Sequence, residues 1–264
     1  MTLEYQSLVP VAHAMADAAR AAILPYFRAA GLATDNKDVD GFDPVTAADR
    51  KAELAMREIL AEMRPEDGIL GEEFASVRGQ SGITWVLDPI DGTRGFISGT
   101  PTWGVLIAAG DEDGPRLGVI DQPYIGERFV GVAGGATLDG PAGHRDIRSL
   151  NARPLSDATV FTTFPEVGTA QDRAGFEAVA ARARLVRYGM DCYAYALVAA
   201  GQVDLVIEAG LAPYDIQAPI ALVEAAGGIV TDWSGGPAHR GGRALAAANA
   251  SIHAEALALL EAYV

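Results

Sequence analysis

Apolar residues recur at helical spacing from about Leu3 to Ala30, an Ala-rich stretch that Gly31 would stop. The charged, Gly-interrupted segment from Thr34 to Pro44 has no such spacing and reads as a hairpin or mobile loop. Thr46 then caps a second amphipathic helix carrying Ala52 to Met63, which Pro65 to Gly68 breaks. Ile69-Leu70 makes a short strand that ends in Gly71-Glu72-Glu73-Phe74. A largely apolar run from Ile83 to Leu87 predicts a buried strand, running directly into Asp88-Pro89-Ile90-Asp91-Gly92-Thr93. Trp103 to Ala109, Arg116 to Ile120 and Arg128 to Val132 read as further strands, so the first half predicts an antiparallel sheet with two helices on one face.

The pattern changes after a Gly-rich, polar crossing at about 134 to 150. Strands at Thr159–Thr162, Arg184–Arg187, Val203–Ile207 and Ile229–Thr231 alternate with helices at about 172–183, Asp191–Ala200 and Asp215–Ala226. A final helix is expected from Ser251 to Ala262. This alternation predicts an α/β layer and divides the chain into an N-terminal α+β part, 1–145, and a C-terminal α/β part, 146–264.

Composition narrows the chemistry. Half of the 264 residues are hydrophobic, enough for a sizeable core. The net charge of −15 disfavours a nucleic-acid partner, whose phosphates it repels, yet it suits a cleft that holds divalent cations. A single cysteine, Cys192, excludes an internal disulfide, and the four scattered histidines lack zinc-ligand spacing. No signal-like start and no apolar run of membrane-spanning length is evident, so no membrane partner and a cytoplasmic location are expected.

Glu72, Asp88, Asp91 and Asp215 all fall at predicted strand ends or helix starts, where ligand groups converge on a cleft. Carboxylates without imidazole or thiolate company prefer Mg²⁺, Mn²⁺ or Ca²⁺. Each also has an ordinary structural role open to it: Asp215 can cap a helix, and aspartates are common in turns.

Asp88 to Thr93 resembles the most diagnostic signature of the inositol monophosphatase superfamily of Mg²⁺-dependent, lithium-sensitive phosphatases. Asp43 to Asp49, Gly71-Glu72-Glu73, Tyr214 to Ala218 and Glu224 to Gly228 match its other motifs, in order along the whole chain. The resemblance implies a layered αβαβα sandwich. It implies a first Mg²⁺ held by Glu72, Asp88 and the backbone carbonyl of Ile90, and a second held by Asp88, Asp91 and Asp215. A third, weaker ion would rest on Glu72 through water, and Mn²⁺ could substitute. Two ions about 4 Å apart clamp a phosphate and lower the pKa of bound water. By the same resemblance Asp49 and Thr93 position the attacking water, Glu72 assists, Gly92 and Thr93 offer N–H groups to the phosphate, and Lys37 lies on a loop closing over the metals. Asp49 as a capping partner of Thr46, and Lys37 as a solvated loop charge, remain open alternatives. Relatives are commonly homodimers.

Thr93 to Gly99, Val119 to Tyr124, Arg187 to Tyr195, and Glu208 to Leu211 followed by Pro213 to Ile216 resemble the histidinol-phosphate phosphatase branch. Its substrate, a small-molecule phosphate ester, carries an ammonium and an imidazole that Asp191 and Glu208 would neutralise. Asp191 as a helix N-cap is the alternative, and Arg94 has two readings: a contact to substrate or partner subunit, or a surface salt bridge. Gly95 and Met190 depart from the branch pattern, and Met190, beside Asp191, would narrow the pocket or shift specificity. An inositol-1-monophosphatase, or another small-molecule phosphatase of the family, is the first rival expectation. The second is a non-catalytic family member that binds RNA or protein.

Overall fold

The computed structural model describes residues 5–29, 34–36 and 44–264. Lys37 lies outside the described residues. The first helix, α1, runs over Val9–Ile23, shorter than its periodicity predicts, and Pro10 starts it. A short antiparallel pair, β1 (Thr34–Asn36) and β2 (Pro44–Thr46), leads into α2 (Ala47–Met63). Thr46 caps α2 as expected: its hydroxyl accepts from the Ala48 N–H at 3.0 Å.

Seven strands follow as one sheet in chain order: β3 (Gly68–Gly71), β4 (Thr84–Asp91), β5 (Gly104–Asp111), β6 (Gly114–Gln122), β7 (Glu127–Val132), β8 (Gly135–Gly140) and β9 (Gly143–Ile147). All pairs are antiparallel except β3–β4, which is parallel. The expected crossing at 134 to 150 is instead the hairpin β8–β9, whose glycines make the turns rather than interrupt the strands. The register of β4 against β5 slips by one: Asp88 faces Leu106, and Asp91 faces Gly104. Three steps along β4 thus match two along β5, a one-residue bulge around Pro89 and Ile90. After it comes the short helix α3 (Thr93–Ser98), for which the apolar pattern carries no expectation.

A second sheet of five strands has the order β11-β10-β12-β14-β13. Its members are β10 (Thr159–Thr162), β11 (Leu185–Tyr188), β12 (Leu205–Leu211), β13 (Ile229–Thr231) and β14 (Gly242–Ala247). Strand β14, central enough to pair with both β12 and β13, has no expectation in the pattern: its Ala-rich sequence carries little β signal. The helices α4 (Ala170–Ala180), α5 (Cys192–Ala199), α6 (Pro213–Ala225) and α7 (Ala250–Leu260) lie within three residues of their expected ends.

Three apolar clusters stack these elements into five layers. Met15, Ala19, Met56 and Leu60 of α1 and α2 pack on Trp85, Leu87 and Ile107 from one face of the large sheet. The other face, including Val86, Leu106 and Ile120, meets Ala196, Ile216, Leu222 and Val223 of α5 and α6 and then Val206 and Ala246 of the small sheet. Phe176, Ile252 and Leu260 of α4 and α7 cover the far side of that sheet. The result is the αβαβα sandwich that the family resemblance implies, with both sheets buried on two faces. Helix α6 reaches the large sheet closely because a Cβ on Gly118 or Gly131 would come within 2.3 Å of Ala218 O and 2.4 Å of Leu222 Cα. No helix among the described residues is long and apolar enough to cross a membrane.

Candidate active site

The ends of β3, β4, β10 and β12 open on one cleft of about 490 Å³. Its lining includes Glu72, Asp88, Ile90, Asp91, Gly92, Thr93, Arg94, Asp191, Glu208 and Asp215. Loop-borne groups at strand ends converge in this way because the strands hold their ends rigidly while the turns carry the polar atoms.

The β4 bulge decides which way the carboxylates point. Side chains three apart on a regular strand face opposite sides; one inserted residue returns them to the same side. A carboxylate oxygen from each of Asp88, Asp91 and Asp215 lies within 4.8 Å of the others. Asp88 Oδ1 accepts from the Ile90 N–H at 3.0 Å, and Asp91 Oδ2 accepts from the Cys192 N–H at 2.6 Å. Asp215, the expected first residue of this helix, sits in the first turn of α6 two residues past its actual start at Pro213, and its Oδ2 accepts from the Ala212 N–H at 2.7 Å. Its helix-start role and its place in the cleft coexist.

Burial raises the Asp88 carboxyl well above the ordinary range; the charges of Glu72, Asp91 and Asp215 and a hydrogen bond shared with Glu72 raise it further. Asp91 is raised by burial first and by Asp191 and Asp215 next, against the Cys192 hydrogen bonds. Carboxylates packed this tightly ionise together only beside a positive counter-charge. The donor set is oxygen throughout and fits a hard divalent cation. The Cys192 thiol also lines the cleft, but burial and Asp91 push its pKa well up, so it stays protonated and supplies no thiolate.

Gly92 holds φ 83 at the start of α3, where an added Cβ would meet Asp191 Cγ at 2.8 Å. Glycine alone satisfies both demands. Thr93 Oγ1 donates to the Ile90 carbonyl at 3.1 Å. Asp49 lies buried outside the cleft lining, in a capping box: its Oδ2 accepts from Thr46 N at 2.8 Å and Thr46 Oγ1 at 2.6 Å. Burial raises its carboxyl, opposed by those Thr46 bonds and aided by Glu72. Asp49 and Thr93 are therefore each bonded to the residue three positions before them in the chain rather than to one another.

The opposite wall carries Glu208, which burial raises against the pull of its hydrogen bonds. It accepts from Thr163 N at 3.0 Å, from the Thr163 hydroxyl, and from Tyr195 Oη at 2.8 Å. Asp191 lies between the two walls with φ 46, a strained value for a residue with a Cβ, and accepts from Thr102 Oγ1 at 3.3 Å. It precedes α5 without making a side-chain cap bond, so the capping alternative falls away. Burial raises its carboxyl, while Thr102 and the Arg94 charge lower it. Arg94 stacks over the Phe164 ring at 4.7 Å on the cleft rim. Met190 does not narrow the pocket: it packs against the central apolar cluster instead of lining the cleft.

Thr163, Tyr195, Thr102 and Phe164 are the residues that sequence reasoning missed. Thr163 and Phe164 follow the carboxyl end of β10, which is itself a positional signal. Tyr195 and Thr102 reveal their roles only through partners distant in the chain.

A profile of the inositol monophosphatase family matches residues 4–264. The chain is 42% identical over 235 residues to "Bifunctional phosphatase IMPL2, chloroplastic" of Arabidopsis thaliana; the alignment takes in 88% of this chain and 66%, just under two thirds, of that protein. It is 35% identical over 259 residues to a histidinol-phosphatase of Mycobacterium tuberculosis, covering 96% of this chain and 97% of the relative. An inositol monophosphatase structure from Zymomonas mobilis is 40% identical and superposes with a TM-score of 0.86, over 97% of this chain and 98% of the other.

Proposed function

Since the chain belongs to the inositol monophosphatase family, we propose that it is a Mg²⁺-dependent phosphomonoesterase that hydrolyses L-histidinol phosphate to L-histidinol and phosphate. One observation carries the reaction class: Asp88, Asp91 and Asp215 meet within 4.8 Å on the floor of a cleft beside the Gly92–Thr93 turn.

In this reading Glu72, Asp88, Asp91, Asp215 and the Ile90 carbonyl hold two to three Mg²⁺, with Mn²⁺ as a substitute. Bound there, the ions neutralise phosphate charge and lower the pKa of water. Gly92 and Thr93 present backbone N–H groups to the phosphate oxygens, and Asp49 and Thr93 orient the attacking water with Glu72. Because Thr93 donates to Ile90 and Asp49 is bonded to Thr46, that role requires Thr93 to re-aim its hydroxyl when substrate enters.

The choice of ester rests on the far wall. Asp191 and Glu208 put two carboxylates where a cationic alcohol would lie, with Thr163 and Tyr195 fixing Glu208. Arg94 at the rim assists entry or contacts a second subunit of a homodimer. Similarity to the histidinol-phosphatase of Mycobacterium tuberculosis supports this ester. The 40% identity with the inositol monophosphatase of Zymomonas mobilis supports inositol phosphate as a second reading. The test is kcat/KM for histidinol phosphate, inositol phosphate and a nucleotide bisphosphate with Mg²⁺. Histidinol phosphate should exceed the others by at least tenfold; a preference for inositol phosphate would replace this assignment, and turnover of none would remove the phosphatase reading.

A further inference from the structure

Glu53 is fully buried on α2, a helix whose neighbouring turns bury Ala48, Ala52, Met56 and Leu60. A carboxylate on that face is costly unless something needs it there. Its two oxygens divide between two partners. Oε1 accepts from Arg57 Nε at 2.8 Å, one turn further along α2, and Oε2 accepts from the backbone N–H of Glu73 at 2.7 Å. Arg57 then donates to the carbonyls of Phe74 and Ala75, both at 3.2 Å. The segment following β3 is thus tied to α2 at Glu73, Phe74 and Ala75.

The tie is close as well as directional. A Cβ on Gly71 would stand 2.0 Å from Glu53 Oε1, so the carboxylate occupies the space that only glycine leaves. Between these anchors lies Glu72, whose own N–H donates to Leu87 O at 3.2 Å, the residue before Asp88. Glu72 is therefore flanked by Gly71 against Glu53, by Glu73 bonded to Glu53, and by β4.

We infer that Glu53, clamped by Arg57, is a positioning residue that aims Glu72 at the metal centre. It touches neither substrate nor the cleft; it fixes the backbone on either side of a ligand. Partners one layer behind a metal ligand typically change metal affinity by roughly 10–100-fold when removed. The inference rests on the metal-binding reading of the cleft, and the test separates the two.

Mg²⁺ is titrated by calorimetry into the full-length protein and into Glu53→Gln, Arg57→Gln and Gly71→Ala. Wild-type binding establishes the site; no binding by wild type sinks the metal reading itself. With wild-type binding, all three variants should weaken Mg²⁺ by roughly tenfold or more. At saturating Mg²⁺ they should recover most of their kcat, a split that a merely structural role would not produce. Gly71→Ala reaches the same result without changing any charge, by displacing the Glu53 carboxylate. Variants that melt earlier yet bind Mg²⁺ as wild type does would overturn the inference. Should Glu53→Gln fail to fold, the half-buried Arg57 and the small Gly71 substitution carry the same comparison.

Discussion

Single residues set the sharpest demands. Asp88 is raised first by burial and then by the charges of Glu72, Asp91 and Asp215 together. Asp88→Asn should lower kcat by more than the roughly 10–100-fold typical of an outer partner, with circular dichroism unchanged; near-normal turnover would sink the metal assignment. Glu208→Gln and Asp191→Asn should raise KM for histidinol phosphate more than KM for an uncharged phosphate ester, and Tyr195→Phe should do so more weakly by loosening Glu208. Equal effects on both esters would remove the basis for a cationic substrate. Gly92→Ala should cost about 1 kcal/mol or more in urea unfolding, because it combines a left-handed backbone with a collision against Asp191.

At the scale of elements, the short helix α3 carries Thr93 and Arg94 at one end and is held at the other. Arg28 donates to the Gly99 carbonyl from Nε at 3.0 Å and Nη2 at 2.9 Å, just past the helix, and to Tyr124 Oη at 2.7 Å. Arg28→Met should cost about 1 kcal/mol in thermal unfolding and raise KM without altering Mg²⁺ affinity, since none of the proposed metal ligands lies on α3. The helices and most strands were legible from periodicity, and the acidic cluster of the cleft from Asp88 and Asp91 with Asp215. Strand β14 was not, because Ala-rich runs carry no alternation, and neither was β8–β9, because turn glycines masked its short strands. Glu53 left one faint trace, an acid on a buried helical face. Thr163 left only its place after a strand end, and Tyr195 and Thr102 left none, because their roles are defined by contacts across 13 and 89 residues of chain.

For the molecule as a whole, the buried carboxylates set opposite dependences on pH. Asp88 and Asp91 have folded-state pKa values above their unfolded ones. Between the two values the folded chain holds more protons than the unfolded chain, so metal-free stability falls as pH rises through that window. Asp67 runs the other way. Burial alone would raise it, but hydrogen bonds from Arg64, Ser81 and Trp85 bring it below the ordinary range. Its stabilising contribution is present above the unfolded value and lost as pH falls through the folded one. Mg²⁺ competes with protons at the first pair, so its gain in Tm should be larger at pH 8 than at pH 5.5; equal gains by scanning fluorimetry would contradict the clustered-carboxylate account.

The bulge in β4 makes the site sensitive to events one strand away. The mismatch of three residues against two keeps Asp88 and Asp91 on one side. An in-frame insertion of one residue into β5 near Val105 would restore a regular ladder and turn Asp91 to the opposite face. Such an insertion would silence the centre while leaving every group in it unaltered. Deleting Pro89 would also regularise the ladder, yet leave both carboxylates facing the same way. Length changes in these two strands are therefore not equivalent, and gaps in β5 bear on activity as directly as substitutions in the motif itself.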